Sequence, residues 1–338
     1  RGSPWIEVRG QWLGDSSLLE QVRQAYRRGL RLVWRGELSD LPGGDIAACF
    51  DNSLLSLSPA EAVGALQSSA STGQRGVRAS PILDGQMYEN LPTVALLSLC
   101  LDRHRAVAVA GWPSDDVLYS LRHQQLQPSH ATIFKLMKAI DAEQSLDSFE
   151  HILSEDPLLA YRFLTYTNSA ALGLRTGIDS LRRGLVMLGY GTLQRWLGDQ
   201  LPHASTDPNL SPIRQTMVLR AQLMERLVEA GIEYELRREV YLTGLLSQLD
   251  TLMDEPIATI LRRLPLSERI SDAIVLRSGP YAPALQIACA LETDDASVVR
   301  QLCETHEMDT ESVNRALLRL LSELHVERPR PGQPTGSR

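Results

Sequence analysis

No run of apolar residues in the sequence approaches the ~18 that a membrane-spanning helix needs, and no charged segment followed by an apolar core opens the chain. Neither a membrane span nor a secretory signal is expected, and the cytoplasm is the expected location. Cysteine is scarce: Cys49, Cys100, Cys289 and Cys303 lie far apart and none belongs to a CxxC pair, which excludes a disulfide framework and a zinc knuckle. Charge of one sign never accumulates. The net charge of -7 is spread along the chain without a long basic or acidic block, which argues against a dedicated nucleic-acid or anionic-membrane binder. Helix lengths and loop signals do not recur at a fixed interval, so a solenoid is not expected.

What is present reads as a folded chain, with 43% hydrophobic and 22% charged residues. A single core usually stops growing near ~250 residues, so 338 residues suggest two domains. The first half alternates. SLLEQVRQAYRRG (17–29) places Leu18, Val22 and Ala25 on one helical face and Gly29 at its end. LRLVW (30–34), DIAACF (45–50) and AVAVAGW (106–112) are short apolar runs bounded by Gly, Pro and Asp, and are expected as strands. Between them, SPAEAVGALQ (58–67) has Ser58 followed three residues later by Glu61, a capping box, and ENLPTVALLSLCLDR (89–103) reads as a further helix. This alternation predicts a parallel sheet covered by helices, although about 110 residues make only part of a large barrel.

After Pro128 the strand signals stop, and segments from SHATIFKLMKAI to TESVNRALLRLLSEL carry apolar residues at helical spacing. This half is expected to be all-α, with LPHASTDPNLSP (201–212) as a surface loop. One of its helices, YLTGLLSQLDTLM (241–253), is broken by Ser247, Gln248 and Asp250, polar groups that each need a hydrogen-bond partner if they are buried.

The most distinctive stretch runs from Ser154 to Leu197. Asp156 and Pro157 suit a helix start, Leu159, Phe163, Tyr166 and Ala170 form a stripe, and Gly173 ends the helix. Ser180 begins a short helix that Gly189 closes, and Leu193, Trp196 and Leu197 begin another. DPLLAYRFLTYTNSAALGL, IDSLRRGLVMLG and LQRWL, in that order, resemble the HDOD domain of bacterial signalling proteins. LPLSERISDAIVLRSGPYAPALQIACALE (264–292) resembles the end of that domain where it follows an EAL domain.

The resemblance implies an α/β N-terminal domain over 1–125, a partial or degenerate EAL-like barrel, then an all-helical HDOD domain over 126–325 related to the HD superfamily and a disordered tail over 326–338. It places the His-Asp pair of HD hydrolases at Ser247 and Gln248, and the paired aspartates of EAL phosphodiesterases at Arg35 and Gly36. Ser and Gln are poor replacements for ligands that hold a divalent metal, and Arg is a cation in a metal ligand's place. His123, His130, His151, His203, His306 and His325 are isolated, without HxxxH or HxxE spacing. No catalytic residue, metal or cofactor is therefore expected.

The functional expectation is a non-enzymatic signal-transduction module that binds other signalling proteins, with homodimerisation open. The alternative is a cyclic di-GMP effector or a residual phosphodiesterase. Asp156, Pro157, Asn168, Ser169, Gly173, Gly189 and Trp196 form the structural signature; the Asn168 and Ser169 side chains are expected to fix the turn after their helix. Arg175, Arg182, Arg183 and Arg195 are the candidate interaction surface. The arginines of SLRRGLVMLGYGTLQRWL also fit a nucleic-acid-binding helix pair, but solvated positions on amphipathic helices explain them more simply.

Overall fold

The computed structural model describes residues 5–70, 80–172, 177–228 and 233–327, and the chain forms two compact units, Arg1–Leu121 and Arg122–Arg338. In the first, β1 (Trp5–Arg9), α1 (Ser16–Arg27), β2 (Arg31–Glu37), α2 (Gly44–Ala47), β3 (Asn52–Ser56), α3 (Pro59–Ala70), β4 (Met87–Glu89), α4 (Val94–Ser98), β5 (Ala108–Ala110) and α5 (Ser114–Leu121) follow one another. The sheet order is β1-β2-β3-β4-β5 and every neighbouring pair is parallel. Strands thus sit side by side in chain order, as parallel strands joined by helical crossovers do in a singly wound sheet. These five strands form an open row, so the α/β expectation holds while no closed barrel is formed by the described residues.

Alternation along the strands sorts the side chains into two faces. Trp34, Leu55 and Tyr88 pack with Ala62 and Ala65 of α3 and Leu96 and Leu97 of α4, so this face lies under the helices. The register puts Glu7, Arg35, Ser56 and Glu89 on the other face. Gly36 is where the chain passes the Trp34 ring: an added Cβ would stand 2.5 Å from it.

Two local predictions hold in detail. Gly29, expected to end the first helix, follows α1 with φ 74°, while Asp15, which sequence reading did not single out, caps the start by accepting from Ser17 N–H. Ser58 and Glu61 form the reciprocal capping box, each accepting from the other's backbone N–H. Two expectations fail, the first that DIAACF is a strand. Gly44 takes φ 58°, a helical turn starts there, and Ile46, Cys49 and Phe50 reach the Val8, Val22 and Leu32 cluster at helical spacing. The strand is the next segment, Asn52–Ser56. Glu89 likewise ends β4 instead of starting a helix, which begins at Val94 behind the Thr93 cap.

The second unit is helical: α6 (His130–Asp141), α7 (Leu146–Leu153), α8 (Pro157–Thr167), α9 (Leu181–Gln200), α10 (Leu210–Leu227), α11 (Tyr234–Leu246), α12 (Leu249–Met253), α13 (Ile257–Leu261), α14 (Glu268–Ser271), α15 (Ala282–Leu291), α16 (Ala296–Thr305) and α17 (Thr310–Glu327). The 201–212 segment is shorter as a loop than expected, because a 3-10 turn occupies Leu201–His203 and α10 starts at Leu210. Small residues let helices close on one another. Gly244 of α11 lies so near α10 that an added Cβ would be 2.6 Å from the Ala221 Cα, and at Gly184 of α9 it would be 2.6 Å from the Phe163 ring. Gly189 (φ 68°, ψ 165°) breaks α9 into two stretches. Trp196 on the second stretch packs edge-on to Phe163 and stacks with Tyr166. No helix among the described residues is long and apolar enough to cross a membrane.

Candidate functional site

Asp156 shows how the signature organises the helical unit. Fully buried, it caps α8 by accepting from Leu158 and Leu159 N–H at 2.9 and 3.1 Å through one oxygen. The other oxygen accepts from Ser129 N–H at 2.5 Å and faces the buried Arg214 Nε at 3.8 Å. Arg214 in turn donates to the Gln127 carbonyl. Pro157 fills the first helical position, where its missing N–H is not needed. At the other end of α8, the Asn168 amide donates to the Leu164 and Ile178 carbonyls at 2.8 Å and accepts from Ile178 N–H at 2.7 Å, holding two stretches ten residues apart. Ser169 Oγ is buried without a hydrogen-bond partner. Gly173 and Arg175 lie outside the described residues.

At the position where the resemblance expects a His-Asp pair, the structure holds an arginine network. Ser247, 7% exposed, donates to the Gly244 carbonyl at 2.8 Å and accepts from Arg220 Nη1 at 3.0 Å. Arg220, on the inward stripe of α10, grips Glu292 with two hydrogen bonds of 2.7 and 2.5 Å. Burial works to lower the Arg220 pKa, but its hydrogen bonds to Glu292 and that residue's charge outweigh burial and raise it. Gln248 is half-buried between α11 and α12, and Asp250 is exposed, with Oδ1 accepting from Thr251 N–H at 3.0 Å. Sequence reading missed Arg220 and Glu292. The signal was an arginine on the same helical stripe as Met217, Ala221 and Met224.

A third cluster lies on the sheet face opposite the one packed against α3 and α4. Arg35 meets the buried Glu89 side-on, Nε to Oε1 at 3.0 Å and Nη2 to Oε2 at 2.7 Å, and reaches Glu7 at 3.3 Å. Ser56 Oγ donates to the same Glu89 Oε1 at 2.9 Å. These groups line the C-terminal part of parallel strands, where open α/β sheets present their ligand-binding groups. Gly36 beside them carries no side chain and serves the Trp34 contact.

The fourth cluster surrounds Glu150, which sequence reading did not single out. α7 buries Phe149, Glu150, Ile152 and Leu153 together, so a carboxylate sits among its inward residues. Glu150 is 4% exposed. Arg238 Nε lies 3.5 Å from Oε1 and Arg182 Nη1 3.6 Å from Oε2, and Oε2 has no hydrogen-bond partner. Both guanidiniums are engaged elsewhere: Arg182 pairs with Asp147, and Arg238 donates to the Tyr234 hydroxyl at 3.2 and 3.1 Å while lying over its ring. Burial pushes the Glu150 carboxyl pKa up, and the pull of Arg238 and Arg182 does not restore it. Glu150 lines a cavity of about 390 Å³ with Ser154, Asp179, Arg183, Arg238, Glu239 and Tyr241.

Of the four candidate surface arginines, Arg182 thus belongs to the Glu150 cluster and Arg183 binds Asp179 at 2.8 Å one turn earlier. Among the described residues Arg195 reaches Thr192 Oγ1 at 3.4 Å, and the structure does not bring it together with the other two. Among the described residues, His104 bonds Asp84 at 2.7 Å and Ser80 at 3.3 Å, and no group of three or more His, Cys, Asp or Glu is placed to hold a metal ion. Beside the kink in α9, Val186, Met187 and Tyr190 are 63%, 59% and 51% exposed.

Sequence comparison finds two curated bacterial relatives of low identity. The chain is 24% identical over 200 residues to the cyclic di-GMP phosphodiesterase CdgJ of Vibrio cholerae serotype O1, covering 59% of this chain and 46% of that protein. It is 22% identical over 200 residues to the uncharacterized protein YuxH of Bacillus subtilis strain 168, covering 57% and 47%. The chain therefore spans about half the length of the curated relatives it matches. Among solved structures it is similar to the MmoQ response regulator of Methylococcus capsulatus strain Bath, at 16% identity and a TM-score of 0.47, covering 57% of this chain and 98% of that one. The expectation that the chain is not an enzyme is overturned by the first of these relatives, whose name is that of a phosphodiesterase. The residues at two expected ligand positions are too narrow a basis for denying activity, because catalytic groups can lie elsewhere on a retained fold. Residues 126–253 match the HDOD domain family, and the chain carries an HDOD domain.

Proposed function

We propose that the chain is a signal-transduction protein of a cyclic di-GMP pathway, in which the HDOD domain binds a partner protein. The observation that carries this reading is the exposed apolar group Val186, Met187 and Tyr190 at the Gly189 kink, within the most distinctive part of the HDOD sequence. Clustered exposed apolar side chains are what a protein contact uses. Arg183, exposed on the preceding turn, gives that patch a charged rim. The degenerate EAL-like reading of the first unit is supported by parallel strands in chain order, with Arg35 and Gly36 near the C-terminal end of β2.

The test compares the wild-type chain with Val186→Asp/Met187→Asp as baits in extract of the native organism. A protein retained by the wild type and lost from the variant, with unchanged circular dichroism, supports the reading. Equal capture by both removes this patch as the binding surface.

A second reading, a phosphodiesterase acting on cyclic di-GMP, is favoured by the name of the Vibrio cholerae relative. It is tested by incubating the chain with cyclic di-GMP and Mg²⁺ or Mn²⁺ and resolving the products by chromatography. Linear dinucleotide above the level without protein supports turnover. Calorimetric titration with the same nucleotide separates binding from hydrolysis.

A further inference from the structure

In the first unit, Ser80, His104 and Asp84 form a hydrogen-bonded chain of hydroxyl, imidazole and carboxylate. Two loops bring them together: Ser80 and Asp84 lie in the segment before β4, and His104 follows the turn between α4 and β5. Gly85, with φ 72°, donates its N–H to the His104 carbonyl at 2.9 Å and ties one loop to the other. Asp84 Oδ1 stands 2.7 Å from His104 Nδ1, and Ser80 Oγ stands 3.3 Å from His104 Nε2. An ionised carboxylate only accepts, so Nδ1 carries the proton that faces Asp84, and in the neutral ring Nε2 is left as the acceptor. Ser80 Oγ accepts from Ile82 N–H at 3.3 Å, and its own proton is the one that meets Nε2.

This is the order that a serine nucleophile uses: a hydroxyl on a base whose tautomer a third group fixes. The His104 side chain is 12% exposed, whereas that of Asp84 is 78% exposed. Water shares the Asp84 charge, so an imidazolium formed here gains less support than it would from a buried carboxylate. The chemistry within reach is therefore acyl transfer from an ester with a good leaving group, not from an amide. The cluster lies before the N-terminal ends of β4 and β5, while Arg35 and Glu89 lie towards the C-terminal ends of their strands. It is independent of any cyclic di-GMP chemistry.

We propose that Ser80 is the nucleophile of an acyl-transfer site, with His104 as its general base and Asp84 orienting the imidazole. Ser80 Oγ bonds to the ester carbonyl carbon as its proton passes to His104 Nε2; the bond to the leaving alcohol breaks, and the departing oxygen takes that proton. Water then hydrolyses the acyl-serine, returning a proton to Ser80 Oγ through His104. The whole chain is treated with a fluorophosphonate, which exchanges fluoride for the Ser80 oxygen at phosphorus, and separately with p-nitrophenyl acetate. Peptide mass spectrometry should place the label on Ser80, and Ser80→Ala should lose both that label and the release of p-nitrophenolate above background. His104→Gln should slow labelling about 100-fold, within the range that a general base contributes. Asp84→Asn should slow it about tenfold, the scale of one hydrogen bond to a charged group, while Ser39→Ala at an exposed serine leaves it unchanged. No label on Ser80, p-nitrophenolate release equal to that of Ser80→Ala, or labelling unchanged by His104→Gln in a folded chain overturns the proposal. Where His104→Gln does not fold, Asp84→Asn decides by the same criterion.

Discussion

Arg220 and Glu292 share one ion pair but not one environment, so removing either should not cost the same. The arginine side chain is 6% exposed and the glutamate side chain 38% exposed. In Glu292→Gln the guanidinium stays buried, keeps Ser247 Oγ at 3.0 Å and loses its neutralising charge. Stranding a buried charge costs about 3 kcal/mol or more. In Arg220→Met an unbranched side chain retains much of the packing, the released carboxylate turns to water, and Ser247 keeps its bond to the Gly244 carbonyl. The loss should then be about 1 kcal/mol, near that of a single net hydrogen bond. The double variant Arg220→Met/Glu292→Gln should resemble Arg220→Met, because no charge remains to be stranded. Urea unfolding followed by far-ultraviolet circular dichroism reads these values. With a slope of ~2 kcal/mol/M, Glu292→Gln moves the midpoint down by about 1.5 M and Arg220→Met by about 0.5 M. A Glu292→Gln midpoint at or above that of Arg220→Met would refute the reasoning, since the buried charge would not be what the pair supports.

Three further outcomes follow from packing and protonation. Gly244→Ala should lower stability by about 3 kcal/mol or more, since the new methyl meets the Ala221 backbone, which cannot turn aside as a side chain can; thermal unfolding measures it. Burial works to raise the Glu239 pKa, yet hydrogen bonds from Arg269, Tyr281 and Ser267 outweigh it and hold the group below the ordinary carboxylate range. Its contribution is therefore present above the unfolded pKa and lost as pH falls through the lower folded one, so the stability gap between wild type and Glu239→Gln, about 2 kcal/mol at pH 7, should shrink with acidification. Among the four thiols, Cys289 should react first with a disulfide reagent at pH 8, because Cys49, Cys100 and Cys303 are buried and burial pushes the Cys100 thiol up to about 11; mass spectrometry of the modified peptides identifies the order.

Features encoded within a few residues were legible in the sequence. The Ser58–Glu61 box and the glycine at residue 29 act over one helical turn, and each reads directly from residue type and spacing. DIAACF was ambiguous because six apolar-rich residues fit a buried strand or a helical turn equally well, and the left-handed Gly44 decided between them. The acidic and basic clusters were hidden for another reason. Arg220 finds Glu292 72 residues away, and Arg35 finds Glu89 across 54, so the residues look like ordinary polar positions until the fold brings them together. Glu150 sits beside Phe149 in a short helix that buries more than one stripe, and periodicity alone does not mark its side chain as inward. The family resemblance drew attention to Ser247 but not to the arginine that donates to it.

The row of parallel strands has a mechanical consequence. Since β1 to β5 pair only with their neighbours in chain order, the sheet behaves as a linear array in which a terminal strand rests on one interface and an inner strand on two. Under strain applied along the row, fraying should start at β1 or at the three-residue β5 and travel inward one strand at a time, while β3 stays clamped from both sides. Growth would obey the same rule: a further strand and helix can be added at either edge without rethreading the existing ones, whereas an insertion at the centre has to separate a formed pair.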